Sequence, residues 1–183
     1  MKSTDLLLDD HKHLTAALDV LEQMVARIKA DRPLSDSDLK CLLGFLTAFG
    51  DRLHQGREES VLFPALLRDR TQKNYPRLCS LVFEHNRQRS LIEGVQESMV
   101  TRNRKDFVYY ATRLSDILRA HIREEEREVF PLVDSTLSPS EDERVALEMK
   151  GYDAAWQENQ LATQLRQLAD LESAYLRGGL KTA

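Results

Sequence analysis

The chain has 183 residues, 30 Asp and Glu against 26 Lys and Arg, a formal net charge of −4, seven glycines and five prolines. One domain with an appendage fits that length. Charged residues at 31% and apolar ones at 42% exclude a disordered or membrane-embedded chain, and the acidic balance argues against a nucleic-acid binder. Leu6-Leu7-Leu8, fenced by Asp5, Asp9 and Asp10, is too short for a signal peptide. Cys41 and Cys79 stand without a CxxC and suggest neither a zinc knuckle nor a disulfide framework. The expectation is a reduced, cytoplasmic protein with no nucleic-acid or membrane partner.

Few glycines and long 3.6-residue periodicities predict an all-α protein. Thr4 is placed to cap a first helix with the stripe Leu7, His11, Leu14, Leu18, Leu21, Val25 and Ile28. Residues 31–35 break it, and Ser35 with Asp38 starts a second helix bearing Leu39, Leu43, Leu46, His54, Val61 and Leu62. Pro64 is expected to bend or end the regular part of that helix. A connection over 71–75 leads to Pro76, in the first turn of a third helix with Leu78, Leu81, His85, Ile92, Val95 and Met99. After a polar turn at Asn103, a fourth helix carries Phe107, Leu114, Leu118, His121, Val129 and Leu132. Four helices with short connections predict an up-down-up-down four-helix bundle over residues 1–137. Residues 138–183 are expected to form a C-terminal helical extension, with a break at Gly151. Its stripes, Val145, Met149, Tyr152 and Trp156, then Leu161, Leu165, Leu168, Leu171 and Tyr175, suit packing on the bundle or on the partner of a homodimer.

The chain also repeats itself. His54 to Pro64 aligns without a gap on His121 to Pro131, both reading H-x-x-x-E-E-x-x-x-F-P. Upstream of each copy lies an acid-His step, Asp10-His11 and Glu84-His85. Two helical hairpins related by a pseudo-two-fold axis are the expected result. His11 lies 19 residues before Ala30 and His54 18 after Asp36; His85 lies 18 before Asn103 and His121 17 after Arg104. At 1.5 Å per residue, all four imidazoles sit roughly 27 Å from their turns, at one level of the bundle.

Glu58 and Glu125 follow their histidines by four residues, so each carboxylate lies one turn along on the same face. One H-x-x-x-E pair alone is more often a core histidine with a solvated partner. Two copies in an eleven-residue repeat, with two level-matched histidines, point to metal. Four nitrogen donors and two carboxylates are too many for one tetrahedral zinc and suit two octahedral-leaning redox metals. His13 is the alternative to His11, being two residues off the stripe. Glu59 and Glu126 point about 100° away from their neighbours and are expected to be supports for ligands or solvated charges rather than ligands, with Asp10 and Glu84 in weaker claims to the supporting role. Phe63 and Phe130 are read as core aromatics closing one end, Tyr110 as core, Cys41 and Cys79 as small buried hydrophobes, and Arg87/Arg89 as a solvated face.

His11, the His54/Glu58 pair, His85 and the His121/Glu125 pair, each pair followed by Phe-Pro, resemble the hemerythrin-like HHE cation-binding domain over residues 4–134. The resemblance implies a non-heme diiron centre inside the bundle. Glu58 and Glu125 would be bridging carboxylates beside an oxo or hydroxo group, and the four histidines terminal ligands. The oxygen-carrying hemerythrins have a fifth histidine where this chain has Arg89, and an Asp where it has Glu126. The pattern looks more like four-His, two-Glu bacterial members associated with oxygen or nitric-oxide responses and iron-centre repair. A protein that binds or senses dioxygen or nitric oxide is the expectation. The alternative is an enzyme acting on peroxide or nitric oxide, or an iron donor for damaged iron centres.

Overall fold

The computed structural model describes residues 2–68, 74–154 and 158–177. Trp156 and residues 71–73 of the connection expected over 71–75 lie outside them. The described residues form six helices and no strand: α1 (Ser3–Lys29), α2 (36–66), α3 (Tyr75–Val100), α4 (104–136), α5 (Pro139–Ala154) and α6 (158–177). None of these helices is long and apolar enough to cross a membrane. The first four make the expected all-α bundle.

Local chemistry sets the ends. The Lys2 N–H donates to the Asp5 carboxylate at 2.8 Å, so α1 begins before Thr4, which is buried inside the first turn rather than capping it. Ser35 Oγ accepts from the Asp38 N–H, and Asn103 Oδ1 from those of Lys105 and Asp106. The two hairpin turns close alike. Asp31 (φ 56°) and Arg102 (φ 53°) take left-handed conformations, and the N–H groups of Arg32 and Asn103 reach back to the carbonyls of Arg27 and Ser98.

Pro64 does not end α2, which continues to Leu66; α4 likewise passes Pro131. Proline cannot donate to the helical ladder, and the winding relaxes to π just before each one. The Phe63 N–H bonds the Glu58 carbonyl and the Phe130 N–H bonds the Glu125 carbonyl, five residues back. A longer π stretch, Leu46–Gln55, leads into His54 on α2.

The buried apolar side chains fall into two clusters. One, with Leu14, Leu18, Leu21, Phe45 and Leu114, fills the end nearest the hairpin turns; the other, with Leu7, Leu62, Phe63, Leu81 and Phe130, fills the end nearest the prolines. α5 runs unbroken through Gly151 and adds Val145 and Met149 to the second cluster. α6 adds Leu168, Leu171 and Tyr175 to the first. Between the two clusters lies a buried polar layer.

Candidate metal centre

That layer is made of the histidines and glutamates that the repeat singles out. His11 on α1, His54 and Glu58 on α2, His85 on α3, and His121 and Glu125 on α4 are each at most 2% exposed. Equal arm lengths bring the four histidines to one height, and the four-residue step places each glutamate one turn nearer the proline end.

Each ring is gripped on its outer edge by a carboxylate from another helix. His11 Nδ1 faces Glu126 at 2.9 Å, His54 Nδ1 faces Asp10 at 3.3 Å, His85 Nδ1 faces Glu59 at 2.7 Å and His121 Nδ1 faces Glu84 at 2.8 Å. The pattern obeys the sequence repeat: the acid before one histidine holds the histidine of the next helix, in both hairpins. Phe130 stacks on His11 and Phe63 on His85, with ring centroids 5.5 and 6.1 Å apart. Arg57, buried, bonds Asp10, and Arg89 bonds Glu59 and Asp51, so two of the four gripping carboxylates are themselves fixed.

A carboxylate at Nδ1 draws the ring proton to that nitrogen and leaves Nε2 as a lone pair. All four Nε2 atoms point inward. His85 Nε2 and His121 Nε2 are 3.0 Å apart, His121 Nε2 is 3.0 Å from Glu125 Oε1, and His11 Nε2 is 3.2 Å from Glu125 Oε2. Glu58 Oε2 lies 3.4 Å from His85 Nε2 and 3.7 Å from His54 Nε2. Among the described residues, no hydrogen-bond partner serves His11 Nε2, His54 Nε2, Glu58 Oε2 or either Glu125 oxygen. Acceptors therefore converge on acceptors in a dry interior, an arrangement of high energy unless cations or extra protons occupy it. The donor set fits metal. Glu58, His85, His121 and Glu125 offer ligand atoms within 4.8 Å of one another, as do His11, His54 and Glu125, so two positions share Glu125.

The family model for the hemerythrin HHE cation binding domain matches residues 2–133. The chain belongs to the hemerythrin HHE family. Comparison with curated proteins and with solved structures gives no significant match.

The electrostatics of this HHE site record the same crowding of acceptors. Burial, and then the neighbouring Glu125 carboxylate, push Glu58 well above the usual carboxylate range. Burial acts against ionisation of Glu125 too, but the charge of His121 and the nearby His11 and His54 rings hold it well below that range. His121, although buried, is pushed up to about 10 by Glu125 and Glu84. Burial pushes His54 and His85 down, against the carboxylates at their Nδ1 atoms.

All six residues singled out from the sequence meet here. His13 does not; it lies half-buried, edge-on to Phe49 at 5.7 Å, outside the layer. Glu59 and Glu126 take supporting positions as expected, and Asp10 and Glu84 join them on equal terms. Arg89 corrects the expectation of a solvated face, because it is half-buried and bound to two carboxylates. Cys79 is exposed and Cys41 half-buried, so neither is the buried hydrophobe expected. Arg57 was not legible as a supporting residue, since its only sequence cue is its place one residue before Glu58. Gln55 and Gln88, a buried amide pair beside the layer, carried no cue at all.

Proposed function

We propose that this HHE protein holds two non-heme iron ions, bridged by Glu58 and Glu125 together with an oxo or hydroxo group, and binds or senses dioxygen or nitric oxide there. His11 and His54 would serve one ion, His85 and His121 the other. The observation that carries the reading is the buried convergence of four Nε2 atoms and the glutamate oxygens on common points, five of these atoms having no hydrogen-bond partner among the described residues. The two groups supply three and four protein donors, fewer than six-coordinate metals use, which leaves positions for an exogenous ligand. When bound, iron would supply those open positions and one-electron redox chemistry toward a diatomic molecule.

The chain's own residues do the rest. Asp10, Glu59, Glu84 and Glu126 orient the rings and keep protons off the inward nitrogens. The apolar clusters on either side exclude water. Glu59 and Glu126 face outer ring edges and not the interior, so neither is placed to deliver protons to a bound ligand. That favours binding over turnover of peroxide or nitric oxide and over iron donation. The test is an electronic spectrum of the iron-loaded protein before and after oxygen or nitric oxide, followed by removal of the gas. Reversible spectral change without peroxide consumption is expected; steady peroxide or nitric-oxide consumption would replace this reading with the enzymatic one.

A further inference from the structure

On the side of the histidine layer away from the glutamates lies a cavity of about 10 Å³, room for one water-sized molecule. Its walls include Leu14, Gly50, Gln88 and Leu118. These stand three or four residues from His11, His54, His85 and His121, one helical turn from each ring. Gln55, next to His54, completes the wall. The cavity is therefore the layer of the bundle that directly overlies the imidazoles.

Asp51 and Arg89, bonded to each other, also line it, and the rest of its wall is apolar except for one buried amide pair. Gln55 and Gln88 are 4% and 2% exposed, and Gln55 Nε2 donates to Gln88 Oε1. Among the described residues, Gln55 Oε1 and Gln88 Nε2 have no partner. Turning both amides over exchanges the roles and changes nothing else: one buried carbonyl and one buried amide N–H group remain unsatisfied. Leaving such groups dry costs more than removing them altogether, so a buried pair of this kind implies something that it bonds. The other polar wall residue that could serve, Arg89, spends its guanidinium on Asp51, Glu59 and Asn86.

We infer that Gln55 and Gln88 form a polar selector over the histidine layer, whose free amide N–H donates to the outer atom of a neutral diatomic ligand that reaches into this cavity. The inference rests on the diiron reading and adds what distinguishes the ligand: small enough that its outer atom fits one water's space, and able to accept a hydrogen bond at that atom. The probe is nitric oxide on the iron-loaded protein, comparing Gln88→Met with the double variant Gln55→Met/Gln88→Met, which removes both amides and so leaves neither orphaned. Expected are unchanged iron content, nitric-oxide release about 3- to 10-fold faster, the loss of one hydrogen bond, and a shifted N–O stretching frequency in both variants. Unchanged release and an unchanged stretch, with iron bound, would overturn the selector and leave the diiron reading standing. Failure of the unsubstituted protein to bind iron would overturn both. Should Gln88→Met not fold, the double variant alone decides the matter.

Discussion

Histidine 11 and histidine 13 are two residues apart, and the rotation between them decides which enters the bundle. His11 is buried with its Nε2 in the polar layer, whereas His13 rests against Phe49 outside it. His11→Ala should lower bound iron from about two per chain to about one, because only one of the two donor groups contains it. His13→Ala should leave metal content unchanged, and metal analysis of the two variants checks both statements. The gripping carboxylates make a graded prediction. Glu126 is half-exposed, so Glu126→Ala should fold normally, yet freeing the His11 ring should weaken metal affinity by about 10- to 100-fold, measurable by competition with a chelator. These bonds cross between helices, and sequence spacing does not report the relative rotation of two helices. That is why Asp10 and Glu84 looked like weaker supports than they are, and why Arg89 looked solvated.

At the level of elements, the histidine heights were legible because helical rise is uniform and the hairpin arms are nearly equal. The π winding before Pro64 and Pro131 was not, since it depends on how the ladder rearranges around a missing donor, and the continuation of both helices beyond those prolines follows from it. The docking of the C-terminal helices was only half legible, as an apolar stripe does not say what it covers. Here α5 passes close enough to α2 that a Cβ at Gly56 would overlap the Tyr152 ring, whose hydroxyl donates to the Arg52 carbonyl at 3.0 Å. α6 is clasped to the start of α2 and to α1: the Tyr175 hydroxyl donates to Asp38 at 2.8 Å, and Arg27 lies over its ring at 4.4 Å. Burial, and then the Asp38 carboxylate, push the Tyr175 hydroxyl up to about 12 from 10. Between those values an unfolded chain loses this proton while the folded one keeps it, so the contact's stabilisation is present below pH 10 and is lost as pH rises through about 12. Ultraviolet titration should show a late tyrosine that Tyr175→Phe removes, and that variant should be about 1 kcal/mol less stable to urea at neutral pH.

For the molecule as a whole, a polar layer separates two apolar clusters, and a metal-free bundle must keep that layer buried. Metal binding to the folded state alone therefore adds stability by mass action. With free metal a hundredfold above its dissociation constant the gain is about 2.7 kcal/mol, and a chain of this size moves its melting midpoint by roughly 2–4 °C per kcal/mol. Removing metal with a chelator should thus lower the midpoint by about 5–10 °C, read by circular dichroism with the helices as the signal. A midpoint indifferent to the chelator would mean that the layer is satisfied by protons alone.

The central claim is that a core of converging acceptors is completed by two iron ions, and metal analysis of the protein prepared without oxygen tests it most directly. The predicted result is about two irons per chain, on two donor groups that share Glu125. A single firmly held zinc, or a folded protein carrying no metal, would contradict it.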